Sequence, residues 1–147
     1  MSLEDLLNEG RLSPHKTSKN ELDQLLAVFE RDMADAQSGS ISIDRRFATA
    51  YNAALTLSVA ALAASGYRAT GEGQHYWTIQ SLSFTLQLDA DTVKKFNRFR
   101  RKRNITDYER IGNVSEKEVS EIIELAKNLR TSLEAWLKNN HPDLIQR

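Results

Sequence analysis

No cysteine occurs among the 147 residues, which removes disulfides, thiolate nucleophiles and cysteine-ligated zinc from consideration. Proline and glycine are scarce, at two and six residues, and aromatics are modest at 7%. With an ordinary apolar content of 40%, this composition suits a helical protein better than a β-sandwich or a disordered chain. Charge of either sign is not in excess: 20 basic residues balance 20 acidic ones. That balance argues against a general nucleic-acid coat and leaves room for a local basic site. The opening MSLEDLLNEG has no basic n-region before its apolar residues, so it does not read as a signal peptide. The longest weakly polar run, Phe47 to Ala64, is alanine-rich and interrupted by Asn52, Thr56 and Ser58. A bilayer span needs about 20 mostly apolar residues, so this run reads as a buried helix. The expectation is a soluble, cytoplasmic chain without membrane contact, forming one domain over 1–147.

The apolar spacing is mostly helical, with some alternation between Leu82 and Leu88. Ser2 to Glu9 reads as a short helix closed by Gly10, followed by a loop through residue 17. Ser18 opens a capping box with Glu21, and Leu22, Leu25, Leu26, Phe29 and Met33 form one stripe to about Ala36. Asp44 is the expected cap of the alanine-rich helix, which Gly66 terminates in the left-handed conformation. A loop over 67–73 precedes a fourth helix expected over 74–88, with a strand over 82–88 as the alternative. Asp89 or Asp91 caps the fifth helix, with Val93, Phe96 and Phe99 inward. Ser115 and Glu118 form a second capping box, and the stripe from Val119 to Leu137 marks a long last helix that ends before Pro142. The fold class is all-α: an up-and-down bundle of four to five main helices over 18–141, preceded by a short helix and loop over 1–17.

Positive charge is concentrated on one element. Seven of the ten residues from Lys94 to Arg103 are basic, so the remainder of the chain is acidic. This run continues into Arg103-Asn104-Ile105-Thr106-Asp107-Tyr108. Lys94, Lys95, Arg98, Arg101 and Lys102 suit a groove that releases counterions from a nucleic acid. The alternative is a solvated face paired with Glu116, Glu118, Glu121 and Glu124, in exposed pairs worth about 0–1 kcal/mol each.

In this order of elements the chain resembles the HEPN superfamily (higher eukaryote and prokaryote nucleotide-binding), whose members are small helical bundles. The resemblance runs through LLNEGRLSPHKTSKNELDQLL, through RRFATAYNAALTLSVAALAASGYRATGEGQHYWTIQSL, and ends in RRKRNITDY. Its most specific part is Arg103-Asn104 with Tyr108. Many HEPN proteins carry Arg, a polar residue and, a few residues further on, His. In active branches that motif implies a metal-independent RNase working at the cleft of a homodimer. Here four residues separate Arg103 from position 108, but position 108 is Tyr. Aligning Tyr108 instead with a Tyr that follows the motif His puts Thr106 at the His position. Arg103 and Asn104 carry over; the His does not. The resemblance also implies a toxin–antitoxin or defence setting and a separately encoded nucleotidyltransferase or antitoxin as partner.

Metal-free RNA cleavage needs a base for the 2′-hydroxyl, a cation for the phosphorane and a proton for the leaving oxygen. Arginine suits the second task through its bidentate fork. Tyrosine, with an ordinary pKa of about 10, is a poor base at neutral pH, and loss of general acid–base help forfeits about 10²–10⁴-fold in rate. The candidate catalytic residues are therefore Arg103, Asn104 and Tyr108. The candidate nucleic-acid or nucleotide-binding residues are Lys95, Arg98, Arg101, Lys102, Arg103 and His75. His75 also offers a replacement imidazole if the fold brings it to Arg103. The bland readings are a capping or half-buried polar role for His75 and a core role for Tyr108. His15, His75 and His141 lie too far apart in sequence for a metal site, and no cofactor is expected. The leading reading is an RNA- or nucleotide-binding, or partner-binding, HEPN-like domain with weak or no nuclease activity. An RNase toxin and a structural dimerisation module are its rivals.

Overall fold

The alanine-rich run is the central element of the structure. The computed structural model describes residues 1–105 and 112–145. Among them are helices α1 (Leu3–Asn8), α2 (Lys19–Ala36), α3 (Ile43–Ala64), α4 (Gln74–Gln80), α5 (Ala90–Arg103) and α6 (Glu116–Asn140). The protein is an all-α helical bundle with one small sheet. Helix α3 packs chiefly on α2 and α6. Ala50, Ala53, Ala54, Ala60 and Ala61 are buried along it, and such small side chains let neighbouring helices come close. By length and composition alone α3 could cross a bilayer, yet 67% of its apolar window is buried inside the protein. Phe47, Tyr51 and Leu57 of α3 meet Phe96, Ile122 and Leu129 in the main core. Full burial of each such side chain stabilises by about 1.5–3 kcal/mol.

A smaller core seats α4. Leu6, Leu12 and Leu62 are buried together, with Tyr67, Trp77 and Phe84 packed against them. Two strands, β1 (Leu12–Pro14) and β2 (Tyr67–Ala69), pair antiparallel with Ser13 opposite Arg68. Both segments read as loops in the sequence. Three residues each is too short for an alternating pattern to register. The Arg11 guanidinium lies 4.7 Å above the Trp77 ring, a cation–π contact that ties the N-terminal segment to α4. Gly73, at φ 74°, turns the chain into that helix in a left-handed conformation.

Several boundaries differ from expectation. The helix expected over 74–88 stops at Gln80 and passes into a 3-10 turn, Ser81–Ser83. Ser81 donates to the Thr78 carbonyl at 2.6 Å and Thr85 to the Ser81 carbonyl at 3.3 Å. Hydroxyls of this kind compete with the helical ladder, and Gln87 then takes a positive φ of 56°. The strand alternative over 82–88 does not form either. Helix α3 is capped by Ser42, so Asp44 sits in its first turn. At α2, Ser18 accepts from the Glu21 amide at 3.1 Å. The Glu21 carboxylate, however, turns to Thr17 (2.6 Å) and His15 (2.8 Å), so only half of the expected box is made. The second box is complete, with Ser115 and Glu118 bonded in both directions.

Candidate functional site

Helix α5 owes its position to three apolar residues. Val93, Phe96 and Phe99 are buried. Phe96 meets Tyr51 edge-on at 5.9 Å between ring centroids, and Phe99 meets Phe47 at 5.7 Å. Asp89 caps the helix, accepting from the Thr92 amide at 3.2 Å and hydroxyl at 2.6 Å. These bonds hold its carboxyl below the ordinary range. At the other end Arg100 to Arg103 fill the last turn, where the helix dipole favours cations.

Periodicity divides those cations between two faces. Positions four and seven beyond Phe96 fall on its side of the helix, and these are Arg100 and Arg103. The Arg100 Nε donates to Asn97 Oδ1 at 2.9 Å, and Asn97 is itself buried at 6% exposure. The Arg100 guanidinium also lies 5.5 Å from the centre of the Tyr76 ring. His75 of α4 approaches Tyr51 of α3, with ring centroids 6.5 Å apart. Partial burial, then the charges of Arg103 and Arg100, push the His75 pKa below its ordinary value. The lowered pKa favours the neutral imidazole, and the charges of both arginines reach it. Burial pushes the Tyr51 phenol up to about 12, although Arg100 and Arg103 pull in the other direction.

The outer face behaves differently. Lys95 pairs with Glu121 at 3.0 Å and Lys102 with Glu118 at 2.7 Å. Burial alone would raise the Glu118 pKa, but Lys102 and the Ser115 hydrogen bonds outweigh it and the net shift is downward. Lys94, Arg98 and Arg101 are exposed. Between this face and the start of α6 lies an open groove of about 750 Å³, lined by Arg98, Phe99, Lys102, Ile105 and Glu121 among others.

The sequence-derived candidates therefore separate. The charge of Arg103 reaches His75, although α4 and α5 are distinct elements. Lys95 and Lys102 are engaged by α6 carboxylates, and Arg98 and Arg101 stay on the outer face. Asn104 is the C-cap of α5 and exposed. Tyr108, and Thr106 as its alternative, lie outside the described residues. Three participants escaped the sequence reading: Arg100, Tyr51 and Tyr76. For Arg100 a signal existed, its four-residue spacing from Phe96. Arg46 donates to the Ala36 carbonyl at 2.8 Å and pairs with Glu116 at 3.4 Å, a structural role. The histidines occupy separate surroundings, His15 on Glu21 and His141 against Trp136.

No protein-family model, curated protein or solved structure matches the chain.

Proposed function

We propose that this chain is an HEPN-like domain that binds RNA or nucleotide through its phosphate, with little or no nuclease activity of its own. The observation that carries the reading is the placing of Arg100 over the Tyr76 ring and of His75 over Tyr51, with Arg103 on the same side of α5 as Arg100. Two arginines offer charged donors in planar forks, the geometry that phosphate oxygens accept. Tyr76 and the exposed edge of His75 add ring surfaces on which a base can stack. Carboxylates of α6 neutralise Lys95 and Lys102 on the outer face, so those two lysines add little to the attraction. In this reading the domain acts as a homodimer or beside a separately encoded nucleotidyltransferase or antitoxin, as the family resemblance implies.

One observation favours a second reading, a metal-independent RNase. His75, held neutral beside Arg103, has the protonation state of a general base. It would take the 2′-hydroxyl proton while Arg103 and Arg100 stabilise the phosphorane, giving a 2′,3′-cyclic phosphate and, with a proton from water, a 5′-hydroxyl. The two readings part in one assay. RNA is incubated in EDTA with the wild-type protein, Arg103→Ala and His75→Gln, and binding is followed by fluorescence anisotropy. The binding reading expects no cleavage by any of the three and RNA affinity reduced in Arg103→Ala. Cleavage by the wild type, lost in both variants, replaces it with the RNase. Neither cleavage nor binding leaves a dimerisation or partner-docking module.

A further inference from the structure

Away from the basic helix, a small cleft lies where α3, β2 and α4 pack together. It holds about 220 Å³, roughly the volume of seven liquid waters and less than a drug-sized pocket. Leu55, Val59 and Leu62 line it from α3, and their spacing of four and three residues makes them one stripe of that helix. Val59 is 38% exposed, so part of this stripe stays in contact with water although its burial would be favourable. Three polar side chains border the apolar surface: Arg68 of β2, and Gln74 and His75 of α4. The Arg68 Nε donates to the Ser13 hydroxyl across the two-stranded sheet at 3.2 Å. Its guanidinium has no carboxylate partner among the described residues.

We propose that this cleft binds a small organic carboxylate, its charge on Arg68 and its compact apolar body on Leu55, Val59 and Leu62. The guanidinium fork suits the two oxygens of a carboxylate, and the Gln74 amide adds a donor at the rim. Arg68 is the one permanently charged side chain of the lining among the described residues, while the His75 pKa is shifted toward the neutral form. A single positive charge matches a monoanion better than a phosphate monoester, which is largely dianionic at neutral pH. The volume admits a short branched chain or a single ring, and not a whole nucleotide. The site therefore stands apart from the phosphate reading above and does not depend on it. Its anchor is also held in advance. The hydrogen bond to Ser13 restricts the long Arg68 side chain before any ligand arrives, which reduces the ordering cost of binding.

Amide NMR titrations of the full chain would use isocaproate as the probe, with isohexanol lacking the charge and acetate lacking the apolar body. Probe concentrations up to about 10 mM suit ligands of so few atoms. The expected result for isocaproate is saturable shifts at the amides around Val59, Arg68 and His75, with each control weaker by about tenfold or more. Arg68→Gln should weaken isocaproate by about tenfold or more, and Val59→Trp, which fills the cleft, should abolish its binding. Both side chains are exposed, so melting temperatures should stay close to that of the wild type. Equal affinity for the alcohol, or no loss in Arg68→Gln, would overturn the assignment of a carboxylate. Equal affinity for acetate would overturn the apolar contact. Tighter binding by a tetrapeptide ending in leucine would give the cleft to a protein C-terminus and overturn the small ligand. Absence of saturable shifts with isocaproate would overturn the site itself.

Discussion

The outer face of α5 lies against carboxylates of α6, and its inner face lies against aromatic side chains of α3 and α4. On the outer face Lys95 and Lys102 meet carboxylates from α6 at 3.0 and 2.7 Å. On the inner face Arg100 lies over the Tyr76 ring and donates to the amide oxygen of Asn97, and the charges of Arg100 and Arg103 reach His75 and Tyr51. A count of basic residues cannot distinguish these faces. What distinguishes them is whether the facing helix brings acids or neutral rings, and α3 and α4 bring rings.

The comparison can be broken most forcefully at its floor. Phe96→Ala removes a ring with 0% exposure that supports both Tyr51 and the inner arginines. It should cost about 3–5 kcal/mol of stability, measured by urea unfolding. Next in size, Arg103→Ala should weaken RNA binding by about 1.5–3 kcal/mol. Arg98→Ala, on the outer face, should leave affinity nearly unchanged in the same anisotropy titration. Equal losses in both variants would merge the two faces into one electrostatic surface.

Smaller still is the outer pair itself. Lys95→Ala should change stability by less than about 1 kcal/mol, because both partners are solvent-accessible, and added salt should shrink that difference further. The smallest effect concerns pH. The His75 pKa is lowered in the folded state from 6.5, so the unfolded chain takes up its proton first as pH falls. Stability should therefore decline as pH drops below about 6.5 and level off beneath the folded-state pKa. His75→Gln should remove that part of the decline, as read from urea midpoints across pH 5 to 8.

How much of this was legible depended on the length of the pattern. Helices α2, α5 and α6 repeat their apolar residues over several turns, so Leu22 with Phe29, Phe96 with Phe99, and Val119 with Leu137 declare their faces directly. Ser115 and Glu118 announced a complete capping box because nothing competes for Glu118 except a lysine, which engages its other oxygen. At Ser18 the same spelling gave half a box, since Thr17 and His15 claim the Glu21 carboxylate from outside the helix. Neither the three-residue strands nor the break at Gln80 has a periodic trace. The site was legible in part: Arg103 stood out by its motif resemblance, and His75 by being a rare imidazole. Tyr51 looked like one more core residue, because its hydroxyl, without a partner among the described residues, is set by its surroundings in three dimensions.

The Glu118 carboxylate has a further consequence. One oxygen holds the start of α6 through Ser115, and the other holds Lys102 near the end of α5. Both ends of the intervening connection are thus clasped to a single side chain. A single carboxylate thereby couples where α6 begins to how α5 ends, so a change at Glu118 is felt by both helices.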